Sequence, residues 1–222
     1  MLLERMIGFV APHICLHCGQ EGSLLCAQCQ KTHLTALPAV CYKCRQPAPH
    51  GLTCEVCRAS SAIRSVQVVT SYDGLPKDLV YRLKFARAQA AAKTIADIMM
   101  GHCQLPDPNV LVVHIPTATS RIRQRGYDQA ALIAHYLGRK LGLTARKALY
   151  RHGQTRQVGA GREARRRQLK NSFFVPSPRA VKGQHILLVD DVITTGATIE
   201  EAAKTLLLAG AASVHVLAFA QA

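Results

Sequence analysis

The sequence predicts an α/β protein, a mostly parallel sheet flanked by helices, preceded by a small cysteine-rich module over residues 1–60. Three observations carry this reading. After residue 61, short apolar runs alternate with helical stretches, as expected of strands buried on both faces. Before residue 58, eight of the nine cysteines fall into four C-x-x-C pairs. Near the C-terminus, an apolar strand runs into two acids, a Thr/Gly turn and a helix.

Taken in order, residues 13–58 hold every paired cysteine, several Gly and Pro, and almost no apolar period, so side chains alone cannot build a core there. Ala59–Arg64 is a link. Ser65–Tyr72 reads as a strand, and Pro76–Phe85 and Ala88–His102 read as helices, with Pro76 suited to a first turn. Val110–Ile115 is a buried strand, Gly126–Leu141 an amphipathic helix and Ala145–Tyr150 a weaker strand. Residues 151–170 are a polar, Arg-rich loop. Asn171–Val175 and His185–Asp190 are strands, Ala197–Ala209 is a helix stopped by Gly210, and Ser213–Phe219 is the last strand.

Composition narrows the class. The chain is 49% hydrophobic, which suits a soluble globular protein, and no stretch reaches the roughly 18 apolar residues that span a bilayer. The start, MLLERMIGFVAPH, is interrupted by Glu4 and Arg5 and lacks a small-residue cleavage site, so a cytoplasmic protein is expected. Of the net +15, residues 121–182 supply +14, with sixteen Lys/Arg against Asp128 and Glu163. Such concentration points to a polyanionic partner, a pyrophosphate or a nucleic acid backbone.

The cysteine pairs are Cys15/Cys18, Cys26/Cys29, Cys41/Cys44 and Cys54/Cys57. Eight thiolates are enough for two tetrahedral Zn²⁺ sites, and disulfides are disfavoured without a secretory signal. Sequential pairing groups the first two pairs and the last two; interleaving remains open on spacing alone. Closed Cys₄ sites are structural and contribute folding energy. Cys103 reads as a buried apolar residue at a helix end.

In residues 187–198, an apolar strand ends in Asp190 and Asp191, followed by Thr194, Thr195, Gly196, Ala197 and Thr198 at a helix start. A helix N-terminus presents unpaired N–H groups and the positive end of the dipole, which suits a phosphate. Gly196 permits close backbone approach. The two acids, at the C-terminal sheet edge where open α/β folds bind ligands, suit the two hydroxyls of a ribose and a water-coordinated Mg²⁺. A merely capped helix needs one such residue, not two acids and three threonines. Upstream, Arg121, Arg123 and Arg125 lead to Gly126-Tyr127-Asp128-Gln129 after another strand, a set of donors for a diphosphate. Arg151, Thr155, Gln157, Arg162, Arg165, Arg166 and Asn171-Ser172-Phe173 punctuate the polar loop, which reads as a lid that supplies cations.

Residues 187–198 closely resemble the phosphoribosyl pyrophosphate (PRPP) signature of type I phosphoribosyltransferases. With the cysteine pairs, Tyr72, Leu83-Lys84-Phe85, Arg125–Gln129 and the Gln157…Arg166…Asn171…Phe173 stretch, the chain is similar over nearly its whole length to the ComF (competence protein F) family. The family more often has Phe-Asn where this chain has Tyr127-Asp128.

That resemblance implies a type I phosphoribosyltransferase-like domain over 61–222 and a double zinc ribbon over 1–60. It implies Asp190 and Asp191 on the ribose hydroxyls, Thr194–Thr198 around the 5′-phosphate, and Lys84 as a phosphate contact. It further implies Mg²⁺ with PRPP, a part in uptake of single-stranded DNA during transformation, and contact with competence machinery, through which the chain associates with a membrane. Transfer of phosphoribose to a base or amine in metabolism is the alternative expectation, and no acceptor pocket is legible. Few aromatic residues, 5%, leave no stacking platform visible in the sequence.

Overall fold

The computed structural model describes residues 13–85, 89–105, 109–152 and 172–222. Gln157 and Arg166, with Thr155, Arg162, Arg165 and Asn171, lie outside the described residues.

The N-terminal module repeats one turn geometry twice. In the first copy, Cys15 N–H donates to Gln20 O (2.8 Å) and Gly19 N–H to Cys15 O (3.1 Å); in the second, Cys41 N–H donates to Gln46 O (2.8 Å) and Arg45 N–H to Cys41 O (2.8 Å). The fourth residue after each leading cysteine is left-handed: Gly19 has φ 75° and Arg45 has φ 64°. A short helix follows the third cysteine of each quartet, α1 (Ala27–His33) after Cys26 and α2 (Glu55–Arg58) after Cys54.

The rest of the chain is α/β. β1 (Ser65–Ser71) leads to α3 (Gly74–Phe85) and α4 (Gln89–Met100), then β2 (Val110–His114), α5 (Thr119–Arg125) and α6 (Gln129–Leu141). A two-residue ribbon, β3 (Tyr150–Arg151) and β4 (Phe173–Phe174), pairs antiparallel. β5 (His185–Ile193), α7 (Ala197–Leu208) and β6 (Ser213–Gln221) complete the domain. The sheet order is β1-β6-β5-β2, parallel throughout.

Both sheet faces are covered, so β5 and β6 read as unbroken apolar runs rather than alternating ones. On one face Leu187, Val189, Leu217 and Phe219 pack with Ile95, Met99, Ile133 and Leu137; on the other Ile186, Leu188, Val214 and Val216 pack with Ile199, Ala203 and Leu206.

Two local expectations change. Gly126 (φ 87°) caps α5, and Asp128 starts α6, so the Arg121–Arg125 segment is a helix of its own and not the lead-in to a single helix from 126. Residues 145–149 form one parallel bridge, Ala145 to Val112, in place of a strand, and Tyr150 belongs to the β3–β4 ribbon instead. Residues 144–147 there are exposed and have no face to bury, so pairing stops after one residue.

The cysteine module docks along the β1 edge through Leu52–Ser65 and Ala36–Thr70 bridges. Gly51 makes this approach feasible: a Cβ on it would lie 2.1 Å from the Val66 carbonyl oxygen.

Candidate functional site

β5 carries its two acids to the C-terminal edge of the sheet, with Asp191 buried and Asp190 half-buried. Asp191 N–H donates to Asp190 Oδ1 (2.8 Å) and Val192 N–H to Asp191 Oδ1 (2.9 Å). Burial and then the neighbouring charge of Asp191 hold the Asp190 carboxyl well above the usual carboxylate range. Such a pair is costly unless cations or ligand hydroxyls meet it.

Cations converge on it from three elements. Lys84, in the last turn of α3, places Nζ 2.6 Å from Asp191 Oδ2. Arg125 on α5 feels Asp191, and Arg151 on β3 feels Asp190. Burial and then repulsion from Arg121 lower both guanidinium pKa values. Helical spacing puts Arg121 and Arg125 on one side of α5 and Arg123 about 200° away from each. Arg125 also donates to Gln129 Oε1 (2.9 Å) and lies 5.3 Å from the Phe85 ring centroid.

Next to the acids, Thr194 and Thr195 are exposed, and Gly196 (φ 77°) opens α7 without a capping side chain. Ala197 N–H reaches only Thr195 Oγ1, at 3.5 Å. Ala197 and Thr198 form the first turn. The first N–H groups of α7 are thus left without a strong partner.

Asp128 is an acceptor whose work is structural. Its carboxylate takes Ala130 N–H (3.1 Å) as the N-cap of α6, and Thr117 N–H and Oγ1 (both 3.0 Å), fixing the turn after β2. Buried His114 lies 3.8 Å from it, and burial lowers the histidine's pKa. Gly126 is exposed at the α5 cap, with open space around its Cα.

The cysteines gather as two sequential quartets, Cys15/Cys18/Cys26/Cys29 and Cys41/Cys44/Cys54/Cys57, with the sulfurs of each group within 4.8 Å of one another. Cys18–Cys26 and Cys44–Cys54 Sγ atoms are 3.6 Å apart. A Zn–S bond of about 2.3 Å implies tetrahedral S···S edges of about 3.8 Å, so both donor sets fit zinc. Burial raises the leading thiols, Cys15 and Cys41, but surrounding backbone N–H groups outweigh it and draw each down to about 6. Burial and then neighbouring thiols push Cys29 up to about 12; for Cys57 the Cys54 thiol leads and burial follows, again to about 12. Cys103 stands apart, half-buried, with its thiol pushed up to about 11 by burial.

The segment of the second quartet touches the turn that opens α7. Tyr42, inside its first pair, packs beside Gly196, where an added Cβ would be 3.7 Å from the ring. Its hydroxyl bonds Glu200 of α7 and Ser61, and Ala62 N–H donates to the other Glu200 oxygen at 3.0 Å. Between this module and residues 193–196 lies a cleft of about 440 Å³. Arg151, anticipated among the cations of the polar loop, sits on the β3–β4 ribbon; Tyr42 and Glu200 were not legible as site residues. They come from separate segments and no local motif marks them.

Residues 122–222 match the family model of the phosphoribosyl transferase domain. The chain is 31% identical to the DNA utilization protein YhgH of Escherichia coli K12, over 92% of this chain and 95% of that protein. It is 29% identical to competence protein F of Haemophilus influenzae, over 94% and 96%. A glutamine PRPP amidotransferase of B. subtilis aligns at TM-score 0.46 and 17% identity, over 63% of this chain and 30% of its own. Among the described residues no helix is long and apolar enough to cross a membrane. The chain belongs to the ComF family, with paired Cys₄ groups joined to a phosphoribosyltransferase-type α/β domain.

Proposed function

We propose that the protein binds PRPP at the C-terminal edge of its sheet and acts in the handling of single-stranded DNA during natural competence. The observation that carries the first half is the Asp190–Asp191 pair, set beside an uncapped helix N-terminus, with Lys84 2.6 Å from Asp191 and the charges of the pair acting on Arg125 and Arg151. Asp190 and Asp191 take the ribose hydroxyls, residues 194–198 take the 5′-phosphate, and the arginines face the diphosphate. Mg²⁺ accompanies PRPP, and Lys84 leaves Asp191 for phosphate oxygen. Arg123, about 200° round α5 from Arg121 and Arg125, and Gly126, the C-cap of that helix, complete the set offered to the diphosphate.

Zinc held by the two quartets keeps the N-terminal module folded, and that module, with the chain's +15 charge, suits a nucleic acid partner. The relatives' names, DNA utilization protein and competence protein F, support the second half. Contact with competence machinery at a membrane belongs to this reading.

The test is calorimetric titration of PRPP with Mg²⁺ into wild type and into Asp190→Asn/Asp191→Asn. The double variant is expected to weaken binding by about 100-fold, the loss of two charge-assisted hydrogen bonds. Unchanged affinity would sink the assignment. Following pyrophosphate release with a panel of bases and amines, with and without DNA, separates this reading from metabolic phosphoribosyl transfer.

A further inference from the structure

The β3–β4 ribbon gathers aromatic rings that lie far apart in the chain. Tyr150 and Phe174 are direct antiparallel partners with ring centroids 5.7 Å apart, and His152 lies 4.5 Å from Phe174. The rings are tilted by 34° and 32° to one another, so three rings gather on one side of the ribbon with Phe174 in the middle. Phe174 is 36% exposed, His152 is exposed and Tyr150 half-exposed. Lys147 Nζ sits 4.7 Å from the Tyr150 ring centroid.

The other side of the ribbon is different. Phe173 is buried, with the Arg151 guanidinium 5.5 Å from its ring, and Arg151 feels the Asp190 charge. One ribbon therefore presents an outer aromatic face while its inner face supports the acid pair.

We propose that this outer face, Tyr150, Phe174 and His152 with Lys147, is a stacking platform for unpaired bases of single-stranded nucleic acid. The proposal rests on the DNA-handling reading above and names the surface that performs it. Charge complementarity selects the occupant: Lys147 lies over the Tyr150 ring, its neighbour Arg146 is exposed, and the stretch 129–152 contains no acidic residue. Bases stack on aromatic faces without regard to sequence, and nearby cations follow the backbone. The arrangement suits a strand lacking a complement, whose π-faces are available, and not a duplex.

The test is fluorescence anisotropy with a labelled dT 20-mer and an abasic strand of equal length, on the zinc-loaded full chain across a salt series. Phe174→Ala is expected to weaken dT binding by about tenfold and leave the salt slope unchanged, because it removes stacking alone. Lys147→Ala is expected to reduce the slope by about 0.7, the value of one single-strand phosphate contact. The abasic strand should bind wild type and Phe174→Ala equally. Phe174→Leu, which keeps the bulk but removes the ring, should match Phe174→Ala, and unchanged PRPP affinity in both reports an intact fold.

If wild type binds the 20-mer and both Phe174 variants bind it equally well, the platform is wrong and the DNA-handling reading stands. Absence of wild-type binding overturns both. Dissociation of a wild-type dimer by Phe174→Ala in sedimentation also overturns the proposal, by making the patch a self-association face.

Discussion

Residues 13–58 and residues 65–222 hold themselves together by different means. In the cysteine module the buried side chains are chiefly thiols, Cys15, Cys29 and Cys41, with Leu25, Ala48 and Thr53, and of these Cys15, Leu25 and Cys29 join the core on one face of the sheet. In the α/β domain the whole of Val214–Ala220 is buried, and both sheet faces pack against helices. Burial at about 25 cal/mol per Å² of apolar surface sustains the second region. The first has too little apolar surface and depends on ligation. What the contrast teaches is that stability and site chemistry are divided: the domain that can fold by burial carries the strained acid pair, while the ligated module supplies a wall and a clamp.

The sharpest way to break that contrast is to remove one thiol. Cys41→Ser should lower zinc from about two to about one per chain by elemental analysis. It should also abolish hydrogen-exchange protection across 39–62 while leaving β5 and β6 protected. Loss of protection in β6 as well would mean the two regions are one folding unit.

A smaller effect tests the strain in the domain. Because Asp190's folded carboxyl titrates well above its unfolded value of about 4, ionising it costs stability that is absent at low pH and builds as pH rises. Asp190→Asn should therefore be more stable than wild type at pH 8, by about 2–4 °C in Tm for each 1 kcal/mol relieved. The difference should shrink to nothing as pH falls towards 4. Equal Tm values at both pH values would show the acid pair to be fully compensated by Lys84 and the arginines.

Smallest is the clamp between regions. Tyr42→Phe removes one hydroxyl from Glu200 and Ser61 and should cost about 1 kcal/mol, read as a shift in the thermal midpoint, with PRPP affinity reduced severalfold. A midpoint shift with no change in PRPP affinity would confine Tyr42 to a structural role.

Much of this was legible in the sequence because the governing signals are local. The strand–acid–Thr/Gly–helix run fixes Asp190 to Thr198 within one segment, and the apolar runs of β2, β5 and β6 are long enough to mark a parallel sheet. Fourfold C-x-x-C spacing marks ligands, though only the geometry separates sequential from interleaved groups. What escaped is what several segments build together. Lys84 meets Asp191 across more than a hundred residues, and Arg151 reaches Asp190 only because a two-residue ribbon turns it inward. The aromatic face is invisible in a 5% aromatic content, because Tyr150, His152 and Phe174 become neighbours only through pairing. The helix α5 escaped because Gly126 was read as a start and acts as a stop.

The hold of Tyr42, Ser61 and Ala62 on Glu200 has a consequence for how the chain is cut. Glu200 sits in the first turn of α7, where its negative charge would compete with a phosphate for the helix dipole. Donors from the N-terminal side occupy both of its oxygens and turn that charge away from the loop. A fragment beginning at residue 64 would lose those donors and keep only Lys204, 4.0 Å from one oxygen, so the α/β domain expressed alone is not the same domain with a piece missing. It is a protein whose anion pocket carries an anion of its own.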